Sequence, residues 1–126
     1  MARILIIEDN PSNMVLFDFL LRGTGHDVLQ AIDAEAGLVL ARRERPDLIL
    51  MDIQLPGMDG LTATRILKQD PATQDIKVLA LTALAMKGDA EQILAHGCDG
   101  YIAKPIHHRS FLDEVGAALG AAAQGP

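Results

Sequence analysis

Short runs of apolar residues alternate along the chain with segments whose apolar residues recur every three or four positions. The runs are short and rich in Ile, Leu and Val, which favours strands that are buried on both faces. Five strands are predicted, near residues 4–7, 26–31, 48–51, 78–81 and 101–103. A helical segment follows each strand, so the pattern predicts an α/β domain with a parallel sheet covered on both faces.

Residues with strong capping preferences mark the ends of the predicted helices. Asn10 and Pro11 are expected to begin the first helix, because Asn accepts from free N–H groups and Pro suits the first helical position. Asp33 is expected to cap the second helix, and Gly97 to end the fourth. The apolar residues expected on the inner helix faces are Met14, Phe17 and Leu21 in the first helix, Ala36, Val39 and Leu40 in the second, Ile93 and Leu94 in the fourth, and Phe111, Leu112, Val115 and Leu119 in the last.

The alternation also limits the topology of the sheet. Crossovers between parallel strands are right-handed, so the pattern predicts an open, doubly wound (βα)5 fold. One domain over residues 1–120 accounts for it, and the Ala/Gly-rich residues 121–126 are predicted to form a flexible tail. The core must be aliphatic, because the 126 residues include only three Phe and one Tyr.

Composition excludes several classes of function. The net charge is −6, and no Lys/Arg cluster is interleaved with aromatic residues, which disfavours binding to nucleic acid. The first apolar run is too short for a signal peptide or a membrane span, and a single cysteine, Cys98, excludes an internal disulfide. We therefore expect a cytoplasmic protein that binds neither nucleic acid nor membrane, with Cys98 as a small buried residue.

Reactive side chains follow four of the five predicted strands. Glu8 and Asp9 follow the first strand, Asp52 the third, Thr82 the fourth and Lys104 the fifth. The carboxyl ends of parallel strands share one edge of a sheet, where open α/β folds bind their ligands. We therefore expect these five side chains to lie close together.

This set of side chains suits the transfer of a phosphoryl group. Three neighbouring carboxylates need a cation or a proton, and Mg²⁺ is commonly held by one or two carboxylates and a phosphate. Lys104 adds a positive charge and Thr82 a hydroxyl donor for the charged phosphoryl oxygens. A carboxylate can act as the nucleophile, and Asp52 is the best candidate because its strand is central.

Four stretches of the sequence resemble the receiver family of response regulators. They read IIEDN at 6–10, DLILMDIQLPGMDG at 47–60, ALTA at 80–83 and YIAKP at 101–105, within a resemblance that covers about residues 2–119. Further pairs, such as Asn13–Met14 and Gly97–Cys98, resemble free-standing receivers that act in the cell cycle. The family has the flavodoxin-like strand order 2-1-3-4-5.

The resemblance implies how the chain signals. Asp52 would accept a phosphoryl group from the phosphohistidine of a histidine kinase or histidine phosphotransferase, and Thr82 and Lys104 would contact its oxygens. Thr82 and Tyr101 would turn inward on phosphorylation, and the peptide bond before Pro105 would be cis. A downstream protein would then bind the face formed by the fourth helix, the fifth strand and the fifth helix.

The resemblance also implies a metal site at the same edge. Asp9, Asp52 and the backbone carbonyl of Gln54 would bind Mg²⁺ directly, and Glu8 would reach it through water. Mn²⁺ would substitute for Mg²⁺. Beyond self-phosphotransfer and autodephosphorylation, the family implies no enzymatic activity.

The same residues leave alternatives open. A receiver domain cut from a hybrid histidine kinase would carry the same motifs. A phosphohydrolase of the haloacid dehalogenase type also uses a nucleophilic Asp, but it needs a second acid two residues later, where this chain has Gln54. A flavodoxin-like electron carrier needs a phosphate-binding loop after the first strand, where Glu8 and Asp9 would repel a phosphate. A degenerate receiver that binds partners without phosphate is disfavoured, because all five positions are intact.

Overall fold

The computed structural model describes residues 2–83 and 87–123, with side chains described for residues 2–83 and 88–120. The strands are β1 (Arg3–Ile7), β2 (Asp27–Ala31), β3 (Leu48–Asp52), β4 (Lys77–Thr82) and β5 (Gly100–Ala103). All neighbouring strands are parallel, and their order is β2-β1-β3-β4-β5. The predicted doubly wound sheet with flavodoxin-like order is thereby confirmed.

Five helices alternate with the strands. They are α1 (Pro11–Gly23), α2 (Ala34–Glu44), α3 (Gly60–Gln69), α4 (Lys87–Ala95) and α5 (His108–Ala123). The predicted caps are confirmed, because Asn10 accepts from the N–H of Asn13 at 3.0 Å and Asp33 accepts from the N–H of Ala36 at 2.8 Å. Asp59 caps α3 in the same way, by accepting from the N–H of Thr62 at 2.8 Å.

The sheet separates two apolar layers. Helices α1 and α5 cover one face, where Phe17 and Phe111 stack with their ring centroids 5.3 Å apart. Helices α2, α3 and α4 cover the other face. Successive side chains of a strand point to opposite faces, so Ile6 belongs to the first layer and Ile7 to the second. This double burial explains why the strands are continuously apolar.

The predicted inner face of α2 is wrong at two of its three positions, because only Leu40 packs against the core. The buried residues of this helix are Ala34, Gly37, Leu38 and Ala41. Val39, which was expected to face the core, is 56% exposed, and Ala36 is exposed as well. A Cβ at Gly37 would overlap the side chain of Ile7, so α2 lies close to the sheet through small residues. An apolar stripe cannot reveal such a contact, because glycine has no side chain.

One further helix prediction also differs from the structure. Ile93 is buried as expected, but Leu94 is 52% exposed, since neighbouring helical positions point about 100° apart. Helix α5 is described as far as Ala123, residues 124–126 lie outside the described residues, and the flexible tail stays a prediction. None of the described helices is long and apolar enough to cross a membrane.

Candidate functional site

The five predicted side chains lie at the carboxyl edge of the sheet. Asp52 and Thr82 are the last residues of β3 and β4, Glu8 and Asp9 follow β1, and Lys104 follows β5. Glu8, Asp52 and Thr82 are buried, Lys104 is half-buried, and Asp9 is exposed. The apolar runs of β1, β3, β4 and β5 therefore stop at the edge where these polar side chains begin.

Lys104 bridges the two buried carboxylates. Its Nζ donates to Glu8 Oε1 at 3.2 Å and lies 3.5 Å from Asp52 Oδ2. Ligand oxygens of Glu8, Asp9 and Asp52 all lie within 4.8 Å of one another. One ammonium group cannot neutralise three carboxylates, so the cluster has an excess of negative charge.

The pKa of Glu8 reflects its burial first and its charged neighbours second. Burial, followed by a hydrogen bond shared with Asp52, raises the pKa of Glu8 from 4.5 to about 7, although the N–H of Asn10 and the charge of Lys104 act in the opposite direction. A bound divalent cation would neutralise the negative charge of the carboxylates, as a proton on Glu8 does in its absence. Three carboxylates are hard oxygen donors of the kind that Mg²⁺ prefers, so the residues fit the predicted metal.

The turn after β3 holds Asp52 in place. The N–H of Gln54 donates to Asp52 Oδ1 at 3.0 Å, and the N–H of Gly60 donates to the carbonyl of Ile53 at 3.0 Å. A Cβ at Gly60 would overlap the backbone carbonyl of Asp52, so α3 begins directly against the phosphoacceptor candidate. The sequence does not indicate this contact, because such a close approach of two backbone segments exists only in the folded chain. The role of the Gln54 carbonyl as a metal ligand stays a prediction.

The two predicted switch residues lie on neighbouring strands. Thr82 is buried, whereas Tyr101 is half-buried on β5 and packs against the core layer beneath α2, α3 and α4. A cleft between α3 and α4 reaches Thr82, and its lining comprises Ile53, Leu61, Thr82, Asp89, Gln92 and Ile93. The peptide bond between Lys104 and Pro105 is cis. An inward movement of Thr82 and Tyr101 stays a prediction.

Two asparagines contact Glu8, which the sequence did not indicate. The N–H of Asn10 donates to Glu8 Oε2 at 3.1 Å, and Asn13 Nδ2 donates to Glu8 Oε1 at 3.5 Å. Asn10 was predicted only as a helix cap, and Asn13 had no predicted contact. Both asparagines follow Glu8 closely in the sequence, and this proximity was the available signal for the two contacts. It does not indicate where the backbone N–H of Asn10 or the side-chain amide of Asn13 points.

Cys98 is buried, as predicted. Its Sγ donates to Thr64 Oγ1 at 3.7 Å, and Thr64 Oγ1 itself donates to the carbonyl of Gly60 at 2.8 Å. Burial raises the pKa of the Cys98 thiol, so the protonated form predominates.

The sequence and the site together define a class of protein. The chain belongs to the family of response regulator receiver domains, whose sequence profile matches residues 4–116. Among individual proteins, it is 46% identical over 117 residues to the polar-differentiation response regulator DivK of Brucella anthropi, covering 93% of this chain and 95% of that protein. The DivK protein of Brucella ovis is 45% identical over the same length.

Solved structures agree with this assignment. The receiver domain of the sensor histidine kinase PA1611 from Pseudomonas aeruginosa, solved with a magnesium ion in its active-site cleft, has a TM-score of 0.87 and 35% identity, covering 94% of this chain and 98% of that chain. A response regulator from Chloroflexus aurantiacus has a TM-score of 0.90 and 28% identity, with the same coverage. The family and the fold predicted from the sequence are thereby confirmed.

Proposed function

We propose that this receiver domain is a phosphoacceptor in a two-component system and that Asp52 takes the phosphoryl group from a phosphohistidine. The observation that carries the proposal is the position of Asp52. It is 4% exposed, ends the central strand β3, and lies 3.5 Å from Lys104 Nζ within a cluster of three carboxylates. The donor would be a histidine kinase or a histidine phosphotransferase, as expected for a receiver domain.

In the proposed transfer, a carboxylate oxygen of Asp52 forms a bond to phosphorus as the bond between phosphorus and the histidine nitrogen breaks. The electron pair of the broken bond stays on the imidazole nitrogen, which takes up a proton. The product is an acyl phosphate on Asp52. Lys104 stabilises charge on the phosphoryl oxygens, and the hydroxyl of Thr82 is the proposed donor to another of them.

The proposed metal ligands are Asp9, Asp52 and the backbone carbonyl of Gln54, with Glu8 acting through a water molecule. A bound Mg²⁺ would supply positive charge to the phosphoryl oxygens during the transfer. Formally, three carboxylates carry a charge of −3, which Lys104 and one divalent ion together balance. Mn²⁺ prefers similar oxygen ligands, and we propose that it substitutes.

Phosphorylation would change which partners the domain binds. In the proposed switch, Thr82 and Tyr101 turn inward and shift an existing equilibrium between two conformations of the α4-β5-α5 face. NMR of Tyr101 in the free protein and in the phosphorylated protein tests this switch. Identical ring environments in the two states would refute it.

The similarity to DivK suggests a role in polar differentiation and the cell cycle. We propose that the protein acts in the cytoplasm, through protein contacts and without binding nucleic acid or membrane. Its chemistry would be limited to self-phosphotransfer and to loss of its own phosphoryl group.

Intact-mass spectrometry after incubation with acetyl phosphate tests the central step. We expect one phosphoryl adduct on the wild-type protein with Mg²⁺, and none in EDTA or in the Asp52→Asn variant. An adduct of equal yield in Asp52→Asn would refute the assignment of Asp52. If the folded protein takes no phosphoryl group from acetyl phosphate or from a phosphorylated histidine protein, the proposed function is wrong.

A further inference from the structure

The backbone N–H of the N-cap residue of α1 is not bonded as it would be in a capping box. In a capping box, the side chain of the third helical residue accepts a hydrogen bond from the backbone N–H of the N-cap residue. The N-cap residue here is Asn10, and the third helical residue is Asn13. The N–H of Asn10 donates instead to Glu8 Oε2 at 3.1 Å, so the side chain of Asn13 is not needed for capping.

The amide of Asn13 is directed at the same carboxylate. Asn13 Nδ2 donates to Glu8 Oε1 at 3.5 Å, and Lys104 Nζ donates to that oxygen at 3.2 Å. The two donors therefore meet at one carboxylate oxygen, and the bond from Asn13 is the longer of the two. Because Glu8 is 1% exposed, protein donors rather than bulk water orient its carboxylate.

We propose that Asn13 is a positioning residue of the metal site, whose amide orients Glu8 and thereby raises the affinity of the acidic cluster for Mg²⁺. This inference rests on the proposed function, since it requires that the cluster binds a divalent ion. An amide suits this place because it donates a hydrogen bond and adds no charge. An acidic residue would add a fourth carboxylate beside Lys104, and an apolar residue would leave Glu8 with fewer donors.

The affinity for Mg²⁺ tests the proposal directly. We expect Asn13→Ala to raise the Kd for Mg²⁺ roughly tenfold, at the lower end of the effect of removing an outer-shell partner of a metal site. Ser12→Ala, an exposed change on the same helical turn, is the matched control and should leave the Kd within about twofold of the wild-type value. Isothermal titration gives the affinities, and thermal unfolding in EDTA verifies that each variant is folded. A Kd for Asn13→Ala within about twofold of the control value would overturn the proposal.

A double-mutant cycle tests whether Asn13 acts through Glu8. In a Glu8→Gln background, we expect Asn13→Ala to change the Kd by less than about twofold, because the carboxylate that Asn13 orients is gone. A loss of about tenfold in both backgrounds would mean that Asn13 acts independently of Glu8, and would overturn the mechanism. These failures leave the proposed function intact, whereas a wild-type protein that neither binds Mg²⁺ nor takes up a phosphoryl group refutes both.

Discussion

Replacement of Glu8 by Gln should change how the stability of the metal-free protein depends on pH. Glu8 is 1% exposed, and burial is the largest cause of the rise of its pKa to about 7. Gln has nearly the same shape and stays neutral. The difference in unfolding free energy between the two proteins therefore isolates the ionisation of one carboxyl group.

The sign of this effect follows from proton binding. The folded protein keeps a proton on Glu8 up to about pH 7, whereas the unfolded chain loses it near 4.5. Because the native state binds more protons between these values, the stability of the wild type falls as pH rises through this range. The full shift is worth on the order of 3 kcal/mol at about 1.4 kcal/mol per pH unit. Between about pH 5 and about pH 7.5, we expect the wild type to lose roughly 2 kcal/mol relative to Glu8→Gln.

Urea unfolding in EDTA at both pH values measures this difference. Glu35→Gln, which removes an exposed carboxylate from the first turn of α2, is the matched control and should show no comparable change between the two pH values. Addition of Mg²⁺ at the higher pH should stabilise the wild type more than Glu8→Gln, since bound ligand stabilises the native state. A difference between wild type and Glu8→Gln that is independent of pH would refute the raised pKa.

Three further predictions concern packing and chemistry. Gly60→Ala should lower the free energy of unfolding by about 1–3 kcal/mol, because the new Cβ would overlap the carbonyl of Asp52. Gly116→Ala in α5, which meets no neighbouring atom, should raise it by up to about 1 kcal/mol, and equal urea midpoints for the two variants would contradict this packing. Lys104→Met should slow adduct formation from acetyl phosphate at least about 100-fold, whereas an unchanged rate by mass spectrometry would exclude the proposed role of this lysine. Cys98 should react with a thiol reagent far more slowly in the folded protein than in urea, and equal rates would contradict its burial.

The order of elements could be predicted because strands and helices leave different periods in the sequence. Strands buried on both faces are continuously apolar, as in β1 and β3. The helix faces were harder to predict. Gly37 makes a close contact with Ile7 without an apolar side chain, so the stripe that includes Val39 suggested the wrong face of α2.

The carboxyl edge could be predicted because the polarity of a parallel sheet brings the ends of its strands together. The contact of Lys104 with Glu8 and Asp52 follows from that rule, although 96 residues separate Lys104 from Glu8. The roles of Asn13 and Gly60 could not be predicted in this way. The role of Asn13 depends on the direction of its side chain, and the role of Gly60 depends on the close approach of two backbone segments. Neither feature produces a periodic pattern in the sequence.

In the proposed function, Asp52 itself carries the phosphoryl group. Borohydride reduces an acyl phosphate on aspartate to homoserine, which marks the modified residue permanently. We expect homoserine at position 52 in peptides from protein treated with acetyl phosphate and Mg²⁺, and none without Mg²⁺. Homoserine at position 9, or a stable adduct with no homoserine at position 52, would contradict it.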